Sequence, residues 1–171
     1  MLSVIIQAFW IIASAYAANA FPPLIRGKIP VDGNVKFKSQ PLLGRGKTIE
    51  GTIAGILFGI FIGSLQLYFQ NDVAKYVDII PLSFTAIVLL SAGAVFGDMI
   101  GSFIKRRIGF ERGKPAILLD QLDFLIFALI SVSFALHLTL PIIIFLIVIT
   151  PVIHYISNLI AYILDIKQTP W

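Results

Sequence analysis

The sequence predicts an all-α, polytopic integral membrane protein, one domain over residues 1–171 with five transmembrane helices and two cytoplasmic loops. Three observations carry this expectation. Apolar residues make up 58% of the chain and charged residues 13%, with a mean hydropathy of +0.94, where soluble domains run at about 45–50% and about 25%. Five stretches, roughly 2–20, 49–69, 80–104, 122–139 and 141–164, approach the ~20 apolar residues that a helix needs to cross the hydrocarbon core. Finally, the basic residues are segregated: twelve of the thirteen Lys and Arg fall in segments that alternate crossings put on one side.

The first stretch ends in Ala15-Tyr16-Ala17-Ala18-Asn19-Ala20, which also offers signal-peptide-like cleavage positions. No Lys or Arg precedes it and a basic cluster follows, a polarity that favours a retained helix with its N-terminus outside. A long loop, 21–48, rich in Pro, Gly and basic residues, leads to the second helix. There Gly51, Gly55, Gly59 and Gly63 recur every four residues, as Gly93, Gly97 and Gly101 do on the third, and the two stripes predict close approach of these helices. That reading is structural, with Gly97 a partial exception because it precedes a buried acid. The fourth stretch is the shortest and closes against Pro141. Short connections, about 70–79 and 105–121, and a tight turn near Leu138 to Pro141 suit antiparallel neighbours.

Lys and Arg are retained on the cytoplasmic side. The first loop carries Arg26, Lys28, Lys36, Lys38, Arg45 and Lys47; the 105–121 segment carries Lys105, Arg106, Arg107, Arg112 and Lys114; the tail carries Lys167. The other side has only Lys75, so the C-terminus is expected in the cytoplasm. With no cysteine and only His137 and His154, thiolate chemistry and multi-His metal sites have no residues to use. Any metal would be held by oxygen, which suits Mg²⁺. The net charge of +4 lacks the basic stripe with interleaved aromatics of a nucleic-acid binder.

Asp98 is the most informative residue. It lies seven residues before Lys105, hence about 10 Å inside the third helix, a depth at which ionisable groups tend to mark function. Asp98, Ser102 and Lys105 fall near one helix face, although a buried interhelical ion pair is the plainer alternative. Asp120 and Asp123, three residues apart at the start of the fourth helix, share one side; dipole complementation accounts for one of them. Together the three acids are a composition suited to Mg²⁺ carrying a nucleotide phosphate.

Gly44-Arg45-Gly46-Lys47-Thr48-Ile49-Glu50-Gly51 runs into the second helix, where free N–H groups and basic side chains can bind phosphate. It is not a Walker A loop, which would need Gly where Pro41 stands. Alone, the segment reads equally as a glycine-rich turn with positive-inside charges. His154 and Asn158, one turn apart on the fifth helix, suggest interhelical hydrogen bonding ahead of substrate contact. Asp72, Asp78 and His137 fall on the outer side and are assigned no function.

In order and spacing, Lys47-Thr48-Ile49-Glu50-Gly51, Gly97-Asp98 with Ser102, Lys105, Arg106 and Gly109, and Asp120-Gln121-Leu122-Asp123 resemble the signature of the phosphatidate cytidylyltransferase family. The short length, the five-span layout, Asn19 and Pro23 closing the first helix and the Pro170-Trp171 end look most like its archaeal branch, the CDP-archaeol synthases. Two departures from the bacterial and eukaryotic pattern stand out: Gln121 where those enzymes have Arg, and a reduced segment at Gly113 to Ile117.

The resemblance implies a cytidylyltransferase domain that transfers CMP from CTP to a membrane lipid phosphate, releasing pyrophosphate and forming CDP-archaeol. The expected lipid is 2,3-bis-O-geranylgeranylglycerol 1-phosphate. It further implies Asp98, Asp120 and Asp123 as Mg²⁺ ligands, and Lys47, Lys105 and Arg106 on the triphosphate, with Arg45 beside them. Thr48 and Glu50 would orient phosphate or metal, and Asn19 would shape the cleft. The competing expectations are a CDP-diacylglycerol synthase acting on phosphatidate, a small ion or solute transporter, and a glycine-packed scaffold without catalysis.

Overall fold

Five helices form where the apolar stretches lie: α1 (Leu2–Ala20), α2 (Ile49–Val73), α3 (Phe84–Arg107), α4 (Leu119–Val132) and α5 (Leu140–Ile163). The structure, a computed structural model, describes residues 1–37, 40–44, 46–110, 116 and 118–166. Arg45, Lys38, Arg112, Lys114, Lys167 and the 170–171 end lie outside the described residues. The loop between α1 and α2 holds a short 3₁₀ turn, Pro22–Leu24, and a two-stranded antiparallel hairpin, β1 (Lys36–Phe37) and β2 (Gln40–Pro41).

Local chemistry sets the helix boundaries. Thr48 caps α2, its hydroxyl accepting from the Gly51 N–H at 3.2 Å. The third helix begins at Phe84, four residues later than the apolar run: Pro81 cannot donate into a helix, and Ser83 supplies the cap by accepting from the Ala86 N–H at 3.1 Å. It then continues through Lys105, Arg106 and Arg107, cations suited to the negative end of a helix dipole.

The fourth helix departs further from expectation. It starts at Leu119 and ends at Val132, not near residue 139. The Ser133 hydroxyl donates to the Ile130 carbonyl at 2.7 Å where the helix turns off, and residues 133–139 form a turn and an extended link in place of a tight turn. At 14 residues α4 is about 21 Å long, short of the ~30 Å hydrocarbon core. The other four helices are long and apolar enough to cross a membrane.

The third helix is the centre of the bundle: 56% of its apolar window is buried, against 17% for α2 and for α5. The core joins Ile11, Ile12, Ile87, Leu90, Leu125, Ile142 and Leu146 from α1, α3, α4 and α5. The glycine stripes do pack closely, though not against each other. An added Cβ at Gly55 would meet the Ala18 carbonyl oxygen at 2.7 Å, and at Gly59 the Ser14 carbonyl oxygen at 2.7 Å and Ser91 Oγ at 2.6 Å, so the α2 stripe sits on α1 and the outer part of α3. The α3 stripe turns to α4: a Cβ at Gly93 would lie 2.6 Å from Ser131 Oγ, and at Gly97 2.6 Å from the Asp123 carbonyl oxygen. The stripes lie on different helices: α3, packed against α1, α2 and α4, turns its own stripe to α4, while α2 meets another of its faces.

Candidate active site

Where α1, α2, α3 and α5 meet at one end of the bundle they enclose a cavity of about 840 Å³. Its walls are of two kinds. Lys47, Thr48, Asp98 and Arg26 make one side polar and charged, while the α5 side mixes the aliphatic Ile153, Ile160, Ala161 and Leu164 with Thr150, His154, Ser157 and Asn158. Asn19 also lines it, as do Tyr16 and Thr150, whose hydroxyls are 2.6 Å apart.

Lys47, at the mouth of α2, ion-pairs with Asp98 in the middle of α3. Two turns toward the helix end, Lys105 ion-pairs with Asp120 at the start of α4; the second Asp120 oxygen accepts from the Ala116 N–H at 3.0 Å. All four side chains are largely enclosed, and each charge is matched, as a low-dielectric setting demands.

Asp123 is different. It is 5% exposed, its Oδ1 accepts from the Phe124 N–H at 2.6 Å, and its Oδ2 is buried with no hydrogen-bond partner. The carboxyl lies in the space left by Gly101: an added Cβ there would overlap Asp123 Oδ2. A buried carboxylate oxygen without a donor is costly. Among the described residues, no three acidic or histidine side chains converge on a single metal position; the acids stand in a row along the α3–α4 seam.

The sequence profile of the CarS-like CDP-archaeol synthases matches residues 1–171. A CDP-archaeol synthase of Thermococcus kodakarensis is 45% identical over 99% of this chain and 98% of its own length. Those of Methanococcus aeolicus and Archaeoglobus fulgidus are 40% and 38% identical over all of this chain, and 99% and 100% of theirs. The chain belongs to the CDP-archaeol synthase family. A solved structure described as an intramembrane enzyme for archaeal membrane lipids biosynthesis superposes with a TM-score of 0.78 at 35% identity, covering 90% of this chain and 93% of that one. The chain is accordingly a multi-pass membrane enzyme, a transferase of lipid biosynthesis.

Within this CDP-archaeol synthase fold, the sequence-derived residues separate into groups. Lys47, Thr48, Asp98 and Asn19 line the cavity. Lys105, Asp120 and Asp123 continue the seam behind Asp98. The other two described candidates engage backbone. Glu50 accepts from the N–H groups of Lys28 at 3.0 Å and Ile29 at 3.2 Å, fastening the loop to α2, and Arg106 donates to the Phe110 carbonyl.

His154 and Asn158, expected to bond between helices, lie 3.2 Å apart along α5 itself, and both line the cavity. Two further residues escaped the sequence reading. Asp32 accepts from the N–H groups of Asn34, Leu43 and Gly44 at 3.0, 2.8 and 3.1 Å. Burial pushes its pKa up, but these donors outweigh burial and hold it below the ordinary carboxylate value. The Asp32-Gly33-Asn34 turn was its visible signal. Arg107 donates to the carbonyls of Phe37 at 3.0 Å and Pro41 at 2.6 Å, tying the hairpin to α3; nothing in its sequence context separated it from its basic neighbours.

Proposed function

We propose that this chain transfers CMP from CTP to 2,3-bis-O-geranylgeranylglycerol 1-phosphate, forming CDP-archaeol and pyrophosphate, with the active site and C-terminus cytoplasmic and the N-terminus outside. The two-sided cavity carries the reading. Its Lys47 and Asp98 wall suits a polyphosphate arriving from water, and on the α5 side the aliphatic Ile153, Ile160, Ala161 and Leu164 suit the chains of a lipid whose headgroup the interleaved Ser157 and Asn158 can meet.

In the reaction a lipid phosphate oxygen bonds to the α-phosphorus of CTP as the bond to the β-phosphate bridging oxygen breaks, and the electron pair leaves on pyrophosphate. The nucleophile is already an anion, so positioning and charge stabilisation matter more than a strong base. Lys47 turns from Asp98 to the triphosphate, with Lys105, Arg106 and Arg45 adding charge to the departing phosphates. Thr48 orients phosphate at the α2 start, Glu50 keeps the loop in place behind Lys47, and Asn19 shapes the cleft.

One observation supports a divalent cation: Asp123 offers an unpartnered buried oxygen. Asp98 and Asp120 are engaged by Lys47 and Lys105 and would exchange these partners for the cation. Asp98, Asp120 and Asp123 would hold Mg²⁺, which when bound neutralises triphosphate charge and polarises the phosphoryl oxygens. The test is direct. Purified protein in detergent, given CTP, Mg²⁺ and the lipid phosphate, releases pyrophosphate and forms a CDP-lipid, and does so faster than with phosphatidate. CTP left unconsumed would contradict the reaction; equal rates would contradict the lipid assignment.

A further inference from the structure

The loop between α1 and α2 turns apolar side chains outward. Ile29 and Val35 are each 56% exposed, Phe37 50% and Val31 38%. Val35 and Phe37 share a face by the two-residue repeat of extended chain at the hairpin, and Ile29 and Val31 flank an isolated bridge of Pro30 with Thr48. The Val31 N–H donates to the Lys47 carbonyl at 2.9 Å and the Ile49 N–H to the Ile29 carbonyl at 2.8 Å, while Leu42 donates to Val35 at 3.0 Å beside the hairpin. The result is a small flap, and three side chains already named fasten it: Glu50 at Lys28–Ile29, Asp32 across its turn and Arg107 at the hairpin.

Its charge is one-signed. Residues 21–37 contain Arg26, Lys28 and Lys36, all exposed, and a single acid, Asp32, whose carboxylate is spent on backbone N–H groups. The flap also begins one residue after α1 ends at Ala20 and finishes where α2 starts, so it lies at the level where two spans leave the bilayer. Apolar side chains interleaved with cations, held on a pinned scaffold at the membrane boundary, have the composition of an interfacial lipid-binding element.

We propose that this flap docks on the anionic bilayer surface, with Ile29, Val31, Val35 and Phe37 in the interface and Lys28 and Lys36 on lipid headgroup phosphates. Docking there keeps the loop that carries Lys47 seated beside the leaflet from which a lipid phosphate enters. This use of the flap rests on the proposed reaction; the docking itself does not.

The chain has no cysteine, so Val35→Cys in the full-length protein takes a single environment-sensitive fluorophore, with Asn71→Cys at the opposite end of α2 as control. In proteoliposomes of phosphatidylcholine with phosphatidylglycerol, the position 35 probe should emit to the blue of its value in detergent and be quenched by shallow spin-labelled lipid. Lys28→Gln with Lys36→Gln, or pure phosphatidylcholine, should reverse much of both effects. Water-like emission without quenching would overturn the proposal, as would equal immersion in both membranes. A probe that ignores lipid charge and responds only to CTP would overturn it too, assigning the flap to nucleotide. Because the readout needs no turnover, failure here and failure of CMP transfer are separate results.

Discussion

Two glycine stripes with the same four-residue spacing serve different ends. On α2, Gly55, Gly59 and Gly63 let the helix lie against Ala18, Ser14 and Ile87, which is packing alone. On α3, Gly93 and Gly97 also pack, but Gly101, one turn nearer the basic end of the helix, leaves room for the Asp123 carboxyl. Identical spacing therefore yields close helix packing in one helix and, at one position in the other, room for a buried carboxyl. What distinguishes them is the neighbour: a carbonyl or an isoleucine in the first case, a buried unpartnered carboxylate in the second.

Substitution can break this contrast. Gly101→Ala should displace Asp123 and lower CMP transfer per folded molecule by about a hundredfold, comparable to losing one preorganised group elsewhere, a loss far beyond any overpacking cost in stability. Gly63→Ala, which would press a methyl into Ile87, should do the reverse. Overpacking costs roughly 1–3 kcal/mol, lowering the melting temperature, whereas specific activity of the folded fraction holds. If both variants lose stability and activity in proportion, the two stripes are equivalent and the distinction fails.

Smaller effects sharpen the picture. Lys47→Ala removes a charged phosphate contact and should raise the KM for CTP roughly tenfold, in line with about 1.5–3 kcal/mol for a hydrogen bond to a charged group, while the melting temperature falls because Asp98 is left without its partner. Unchanged kinetics at subsaturating CTP would remove Lys47 from the site. At the other end of the bundle the exposed Asp72–Lys75 pair contributes within about 1 kcal/mol. Asp72→Asn should therefore leave both activity and melting untouched, and a large loss there would move chemistry away from the α3–α4 seam.

The parts legible in the sequence were those governed by short-range rules. Five apolar stretches gave five helices because burial and bilayer length act on contiguous residues, and the i, i+4, i+7 rule put Asp98, Ser102 and Lys105 near one face. Ser83 and Ser133 set helix ends against the hydropathy, since a single cap hydroxyl or a proline outweighs a few apolar residues at a boundary. Partner choice was not legible. Spacing shows that Gly101 belongs to a stripe, but only the packing of α3 on α4 shows that the stripe faces Asp123. The Tyr16–Thr150 contact joins residues 134 apart, and Glu50 spans 22 residues to the Lys28 N–H, separations over which one chain carries no local signal.

The central claim is that the buried Asp123 carboxylate, seated against Gly101 and beside the Lys47–Asp98 wall, takes part in CMP transfer. Asp123→Asn keeps the size of the side chain and removes its charge, so CDP-lipid formation across a Mg²⁺ titration, with detergent-solution melting as the folding control, measures that charge directly. The expected result is a loss of about a hundredfold or more in a protein that still melts cooperatively, again on the scale of one preorganised electrostatic group. Near-wild-type turnover in a well-folded Asp123→Asn variant would contradict it.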